Sequence, residues 1–395
     1  MAFASGSVSL QRFSIDGQMP AEVDDTLVAA LNAQAFGHAP PQSDDTQIGW
    51  IGPRHLFDTE ITGDAIACGP FAHLAVRIDQ LKPPANIVRA YVHLEEETAL
   101  QDSGRAFLNR AEQRRARAAA QDRADKEARA GSFRRRSLCP MLIDLEHGDV
   151  YLGTLGATAA DKVMQLFYDT FGRGLEPIDA ERLASRILER ARRARVLESL
   201  TPFTLVKPPD HAADLPANVP GSDLNFLGKE FLTWLWYQTD RDDSALAVRG
   251  GDALTLMIDR TMRLKCDFGL TGSDVITADS PTLLPEARAA LRVGKQLTRA
   301  GLVIGAPGGE FRFTLDGQRL AVSGLALPEE DGEPDARARL EQRFERISDV
   351  VHLIDALFEL FLLERTGRTW DQTLRAMSEW ATGKSRRRRL RVTSA

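Results

Sequence analysis

The sequence predicts an α+β protein: an N-terminal strand and helix module with a long charged helical arm, then a second α+β unit with antiparallel strands and a long C-terminal helix. Three observations carry this. Short stretches alternate apolar and polar residues, as in Val8-Ser-Leu-Gln-Arg-Phe-Ser-Ile15, the pattern of half-buried strands. Other segments repeat apolar residues at helical spacing, as at Val163, Leu166, Phe167 and Phe171. The chain has 395 residues, 43% hydrophobic and 27% charged, which suits two or three domains with their own cores.

Taken in order, the strand at 8–15 precedes a helix with Pro20 in its first turn, acidic Glu22, Asp24 and Asp25, apolar Val23, Leu27, Val28 and Leu31, and Gly37 to end it. Gln47-Ile-Gly-Trp50 reads as a turn, and 64–68 and 72–81 as strands around a Gly69-Pro70 turn. From 85 to 130 Gly and Pro are absent except for Gly104, so the segment reads as one long helix that can break only there. Its apolar content fades after Leu108, so the second half protrudes as an arm or is covered by a partner. The stretches 141–145 and 150–155 form a hairpin around Glu146-His-Gly-Asp149, and a helix over 158–171 is closed by Gly172. A further helix runs from Ala180 to about Leu197.

The first unit thus covers 1–200, with the arm at about 84–136, and a Pro-rich linker covers 201–223. The second unit, 224–380, opens with the apolar helix 226–237 and continues with strands at 253–267, 297–304, 310–315 and 319–325, the last two joined across Asp316-Gly317. It closes with a helix over 335–366, and a basic tail occupies 381–395.

Net charge is −6, which on its own repels polyanions, but its distribution reverses that inference. Residues 101–136 hold eleven Lys/Arg against five Asp/Glu, 181–198 six against three, and 384–391 six against none. A basic working surface on an acidic body points to nucleic acid. The candidate contacts in the arm and just after it are Arg105, Arg110, Arg114, Arg115, Arg117, Arg123, Arg129, Arg134, Arg135 and Arg136. Arg110, Arg114 and Arg117 share one face, and Arg182, Arg186, Arg190 and Arg193 share another on the later helix. A solvated helix face with Glu189 beside it would show the same spacing.

The chain shows no P-loop, HExxH or GxSxG pattern, so no cofactor or metal is expected, and three widely spaced cysteines suit a reducing cytoplasm. The N-terminus lacks a secretory pattern, and the longest apolar run, 352–363, is too short to span a membrane. One cluster, Asp144, Glu146 and Asp149, could hold Mg²⁺ for phosphodiester cleavage, although a hairpin turn asks for the same residues. Trp234 and Trp236 read as core, whereas Trp50 has no evident place.

The Gln47-Ile-Gly-Trp50 turn, the Pro-initiated charged helix, and Ser132-Phe-Arg-Arg-Arg-Ser-Leu-Cys-Pro-Met-Leu-Ile-Asp144 leading into Gly148-Asp-Val-Tyr-Leu152 resemble the bacterial recombination-associated protein RdgC family, best over about residues 8–180. Gly228-Lys-Glu-Phe-Leu-Thr-Trp-Leu-Trp236, Pro285-Glu-Ala-Arg-Ala-Ala-Leu-Arg292 and Ser323-Gly-Leu325 resemble its longer branch, sometimes labelled exonuclease. The familiar members are shorter, and neither 181–222 nor the basic tail matches them. The resemblance implies a nucleoid-associated homodimer that binds double-stranded DNA with little sequence preference and restrains the RecA recombinase by occupying DNA. The arm, and with it the stripe of Arg182, Arg186, Arg190 and Arg193, would then face the duplex. Two other readings stay open: a metal-dependent exonuclease, and a scaffold whose long helix pairs with another protein.

Overall fold

The computed structural model of the chain describes residues 3–38, 46–207, 223–241, 245–247, 253–266, 268, 271–307, 309–327 and 335–383. Most of the linker and the basic run at 384–391 lie outside the described residues. The N-terminal half contains β1 (Val8–Ile15), α1 (Asp25–Ala33), β2 (Thr46–Ile51), the single turn α2 (Gly63–Ile66), β3 (Ala67–Cys68), β4 (Phe71–Leu81), α3 (Ala85–Ser103), α4 (Arg110–Arg129), β5 (Arg134–Asp144), β6 (Asp149–Leu152), α5 (Ala157–Phe171), β7 (Leu175–Pro177) and α6 (Ala180–Arg190). The C-terminal half contains α7 (Phe226–Thr239), β8 (Ala245–Ala247), β9 (Ala253–Cys266), β10 (Ser273–Ala278), α8 (Pro285–Arg292), β11 (Lys295–Ala306), β12 (Gly309–Asp316), β13 (Val322–Ala326), α9 (Ala336–Arg365) and α10 (Trp370–Thr382). The fold is α+β, with helices packed on an antiparallel sheet and a long helix near the C-terminal end.

The main strand order is β10-β9-β11-β12-β13-β1-β6-β5-β4-β2. β1 stitches the halves together: Val8 and Leu10 register with Leu325 and Val322 of β13, while Gln11 to Ser14 register with β6. Alternation along the strands then sends side chains to two cores on opposite faces. Cys139, Met141, Ile143, Val150 and Leu152 pack with α1 and α5, while Leu142 and Tyr151 pack with α6, α7 and α9. Among the described residues β9 in the C-terminal half buries one face: Leu254, Leu256, Ile258, Met262 and Leu264 are buried, whereas Thr255, Met257, Arg263 and Lys265 are exposed.

Several expectations are corrected by tertiary context. Gln47–Trp50 is not a turn but the middle of β2, and Trp50 is fully buried against Phe167 and Phe171, its Nε1–H donating to Thr170 Oγ1 at 2.7 Å. The first helix starts at Asp25, because Asp24 caps it by accepting from Leu27 N–H. The expected strand at 64–68 is a helical turn followed by two residues of β3. The arm is two helices, because Gly104 adopts φ +62° and reverses the chain.

α7 sits so close to the β12–β13 turn that its Gly228 meets Gly317 backbone to backbone, and a Cβ on Gly228 would overlap the Gly317 carbonyl oxygen. Inside this core Arg365 Nε donates to Glu230 at 2.8 Å, and Phe203 N–H donates to the same carboxyl at 2.7 Å. Burial lifts Glu230 to about 7 against the opposing pull of Arg365. A second buried charge, Arg12, joins β1 to α9: it donates to both oxygens of Asp355 at 2.5 and 2.9 Å and to Asp149 at 3.3 Å. Burial works against its charge, yet the two carboxylates prevail and raise its pKa. No helix among the described residues is long and apolar enough to cross a membrane.

Candidate nucleic-acid interface

The arm leaves the sheet where β4 and β5 end as a pair, Leu81 opposite Arg134. α3 and α4 fold back on each other, so the arm is a helical hairpin rooted in two adjacent strands. The apolar stripe that the sequence hides is made of alanine: Ala116, Ala120, Ala124 and Ala128 of α4 are buried. Their small side chains let the helices approach closely while the long side chains point outward. Asn109 starts α4 with a capping box, accepting from Ala111 and Glu112 N–H while Glu112 accepts from Asn109 N–H.

The hairpin is electrically polarised. α3 carries Arg89 against Glu95, Glu96, Glu97 and Asp102, whereas α4 carries six arginines and Lys126 against four acids. The helices are tied by Tyr91, whose hydroxyl donates to Glu127, and by Arg123, which lies over the Tyr91 ring at 4.5 Å and reaches Glu95 at 4.0 Å. Arg105 pairs with Glu112 at 2.6 Å. Arg110, Arg114, Arg115, Arg117 and Arg129 are exposed and make no ion pair among the described residues. Arg134 and Arg135 continue this set on β5, while Arg136 lies 3.6 Å from Asp79. Sequence reasoning missed Phe107, 85% exposed at the hairpin tip, because a lone Phe in a polar stretch carries no periodic signal.

The arginines of the later helix are bound up with the fold. α6 ends at Arg190, Arg192 takes φ +56°, and a 3-10 turn follows at Ala194–Ser199, so Arg193 is off the helix. Arg193 instead donates to the Thr366 carbonyl at 2.7 Å. Arg182 pairs with Glu176, and Arg186 lies 3.7 Å from Asp149. Arg190 alone of the four is exposed with no ion pair among the described residues; it lines a groove against α9 beside Leu360 and Leu363.

The Asp144 hairpin is likewise structural in its contacts. Asp144 is 1% exposed and accepts from His147 N–H at 3.0 Å, from the His147 imidazole and from Ser348 Oγ at 3.0 Å. Asp149 is engaged by Arg12, and Glu146 is exposed. Among the described residues no three His, Cys, Asp or Glu side chains are placed to hold a metal ion.

The chain matches no family model and no curated protein sequence.

Proposed function

We propose that the chain is a non-enzymatic protein that holds double-stranded DNA by its phosphates, without reading base sequence. The observation that carries this is the unpaired arginine face of α4 together with Arg134 and Arg135 at its root. From Arg110 to Arg129 the face runs about 28 Å, while duplex DNA presents one charge per about 1.7 Å of axis. Flexible cations spread over that length meet phosphates in any sequence, so affinity comes from counterion release rather than base contacts. The acidic α3 limits the attraction to one side of the hairpin and keeps the arm from clinging to DNA on every face. Following the resemblance, the chain acts as a homodimer on the nucleoid in the cytoplasm and limits access of the RecA recombinase by occupying DNA.

The test is a triple substitution, Arg110→Gln, Arg114→Gln and Arg117→Gln, compared with the native chain on one labelled duplex across a salt series. Seven phosphate contacts give a slope of log affinity against log salt of about −6, and removing three lowers its magnitude by about 3. An unchanged slope in a folded variant would remove the arm from the interface and leave the scaffold reading in its place.

A further inference from the structure

The loop between β2 and α2 is held from within and buries Ile61, yet it turns Phe57 outward. Asp58, buried, accepts from Arg54 N–H at 3.2 Å, Arg54 Nε at 3.0 Å and Arg54 Nη2 at 2.5 Å. Its own backbone closes the loop, with Gly52 N–H donating to Asp58 O at 2.7 Å and Asp58 N–H donating to His55 O at 3.0 Å. A side chain on Gly52 would overlap the Asp58 carboxylate, so the turn depends on glycine. Arg77 anchors the loop from β4, donating to Leu56 O at 3.4 Å and gripping Asp79 with two bonds of 2.8 Å.

Phe57 stands on this support 62% exposed. The Arg77 guanidinium lies 5.2 Å from its ring centroid and that of Arg136 5.9 Å. Isolated exposed apolar residues are ordinary on protein surfaces, but a pinned aromatic ring flanked by guanidinium groups has the composition of a base-stacking platform. Its place in the fold adds to this. Arg136 is two residues along β5 from Arg134, where the arm leaves the sheet, so the ring lies at the root of the arginine face.

We propose that Phe57 stacks on one unpaired base of a single-stranded segment continuous with the duplex, with Arg136, beside the ring, meeting its phosphate. This rests on the reading of the arm as a duplex grip, and it makes the preferred substrate a junction between double and single strand. Any base offers a π-face, so the site adds structure selectivity without sequence selectivity.

The experiment uses the full chain and three labelled probes: a blunt duplex, the same duplex with an oligo(dT) tail, and oligo(dT) alone, each titrated by anisotropy. The tail strengthens binding by the native chain, and Phe57→Ala removes about 5- to 150-fold of affinity for the tailed duplex while leaving the blunt duplex unchanged. Phe57→Trp retains the gain, whereas Phe57→Leu, apolar but without a π-face, loses it. A native chain that gains nothing from the tail, or a Leu variant equal to native, overturns the stacking site and leaves the duplex grip standing. Phe57-dependent binding of oligo(dT) without blunt-duplex binding keeps the platform and overturns the duplex grip. Binding to none of the probes overturns both.

Discussion

Replacing Arg12 with Met tests how the fold joins its two halves. Arg12 is 2% exposed and stands between Asp149, also buried, and Asp355 on α9. Without the guanidinium, Asp355 can turn toward water, but Asp149 keeps only Arg186 at 3.7 Å. Breaking a buried pair from one side costs about 3–5 kcal/mol. Protonation sets a ceiling: placing a proton on an ordinary carboxylate at pH 7 costs about 4 kcal/mol, and at pH 5 only about 1.5 kcal/mol. The variant should therefore lose about 3–4 kcal/mol at pH 7, and the loss should shrink below about 2 kcal/mol at pH 5. Urea denaturation at the two pH values, followed by far-UV circular dichroism, measures both. Adding Asp149→Asn should restore much of the loss at pH 7. A loss below about 1 kcal/mol at pH 7, or one that does not shrink with acid, refutes the reasoning.

His73 supplies a second pH signature. Burial lowers its pKa to about 4 from 6.5, so the unfolded chain takes up a proton that the folded chain refuses. Its contribution is fully present above pH 6.5 and is lost as pH falls toward 4, by roughly 3 kcal/mol. His73→Leu, which keeps the contact with Phe344, should remove that part of the acid slope in denaturation curves measured across this window. Gly228→Ala places a Cβ against the Gly317 backbone and should lower stability by about 3 kcal/mol, with no change in duplex affinity at temperatures where the variant is folded. A neutral thermal-melting result would show that α7 can move away from the turn.

Where a segment's neighbours are near in sequence, its structure was legible. α5 (Ala157–Phe171), α7 (Phe226–Thr239) and α9 (Ala336–Arg365) show apolar periodicity, and the Asp144–Asp149 hairpin carries its own turn residues. β2 (Thr46–Ile51) was not legible because Gly49 and polar Gln47 imitate a turn, and only pairing with β4 makes the strand. The alanine stripe of α4 (Arg110–Arg129) was hidden because alanine signals helix propensity more strongly than an apolar face. The surroundings of the arginine stripe at 182–193 were hidden for another reason. Spacing places side chains on a helix face, but Glu176, Asp149 and the Thr366 carbonyl, contributed by other elements, decide which of them are free. Phe57 and Phe107 are single residues in loops, and only burial distinguishes them from core phenylalanines.

The central claim is that affinity for duplex DNA comes from phosphate neutralisation without chemistry on the strand. The most direct measurement is anisotropy of the native chain on two labelled duplexes of unrelated sequence, across a salt series, with and without Mg²⁺, followed by inspection of the strands. The account predicts near-equal affinities, a common log-linear fall with salt of slope about −6, and intact strands. A salt-insensitive affinity, a strong preference for one sequence, or cutting that depends on Mg²⁺ would contradict it.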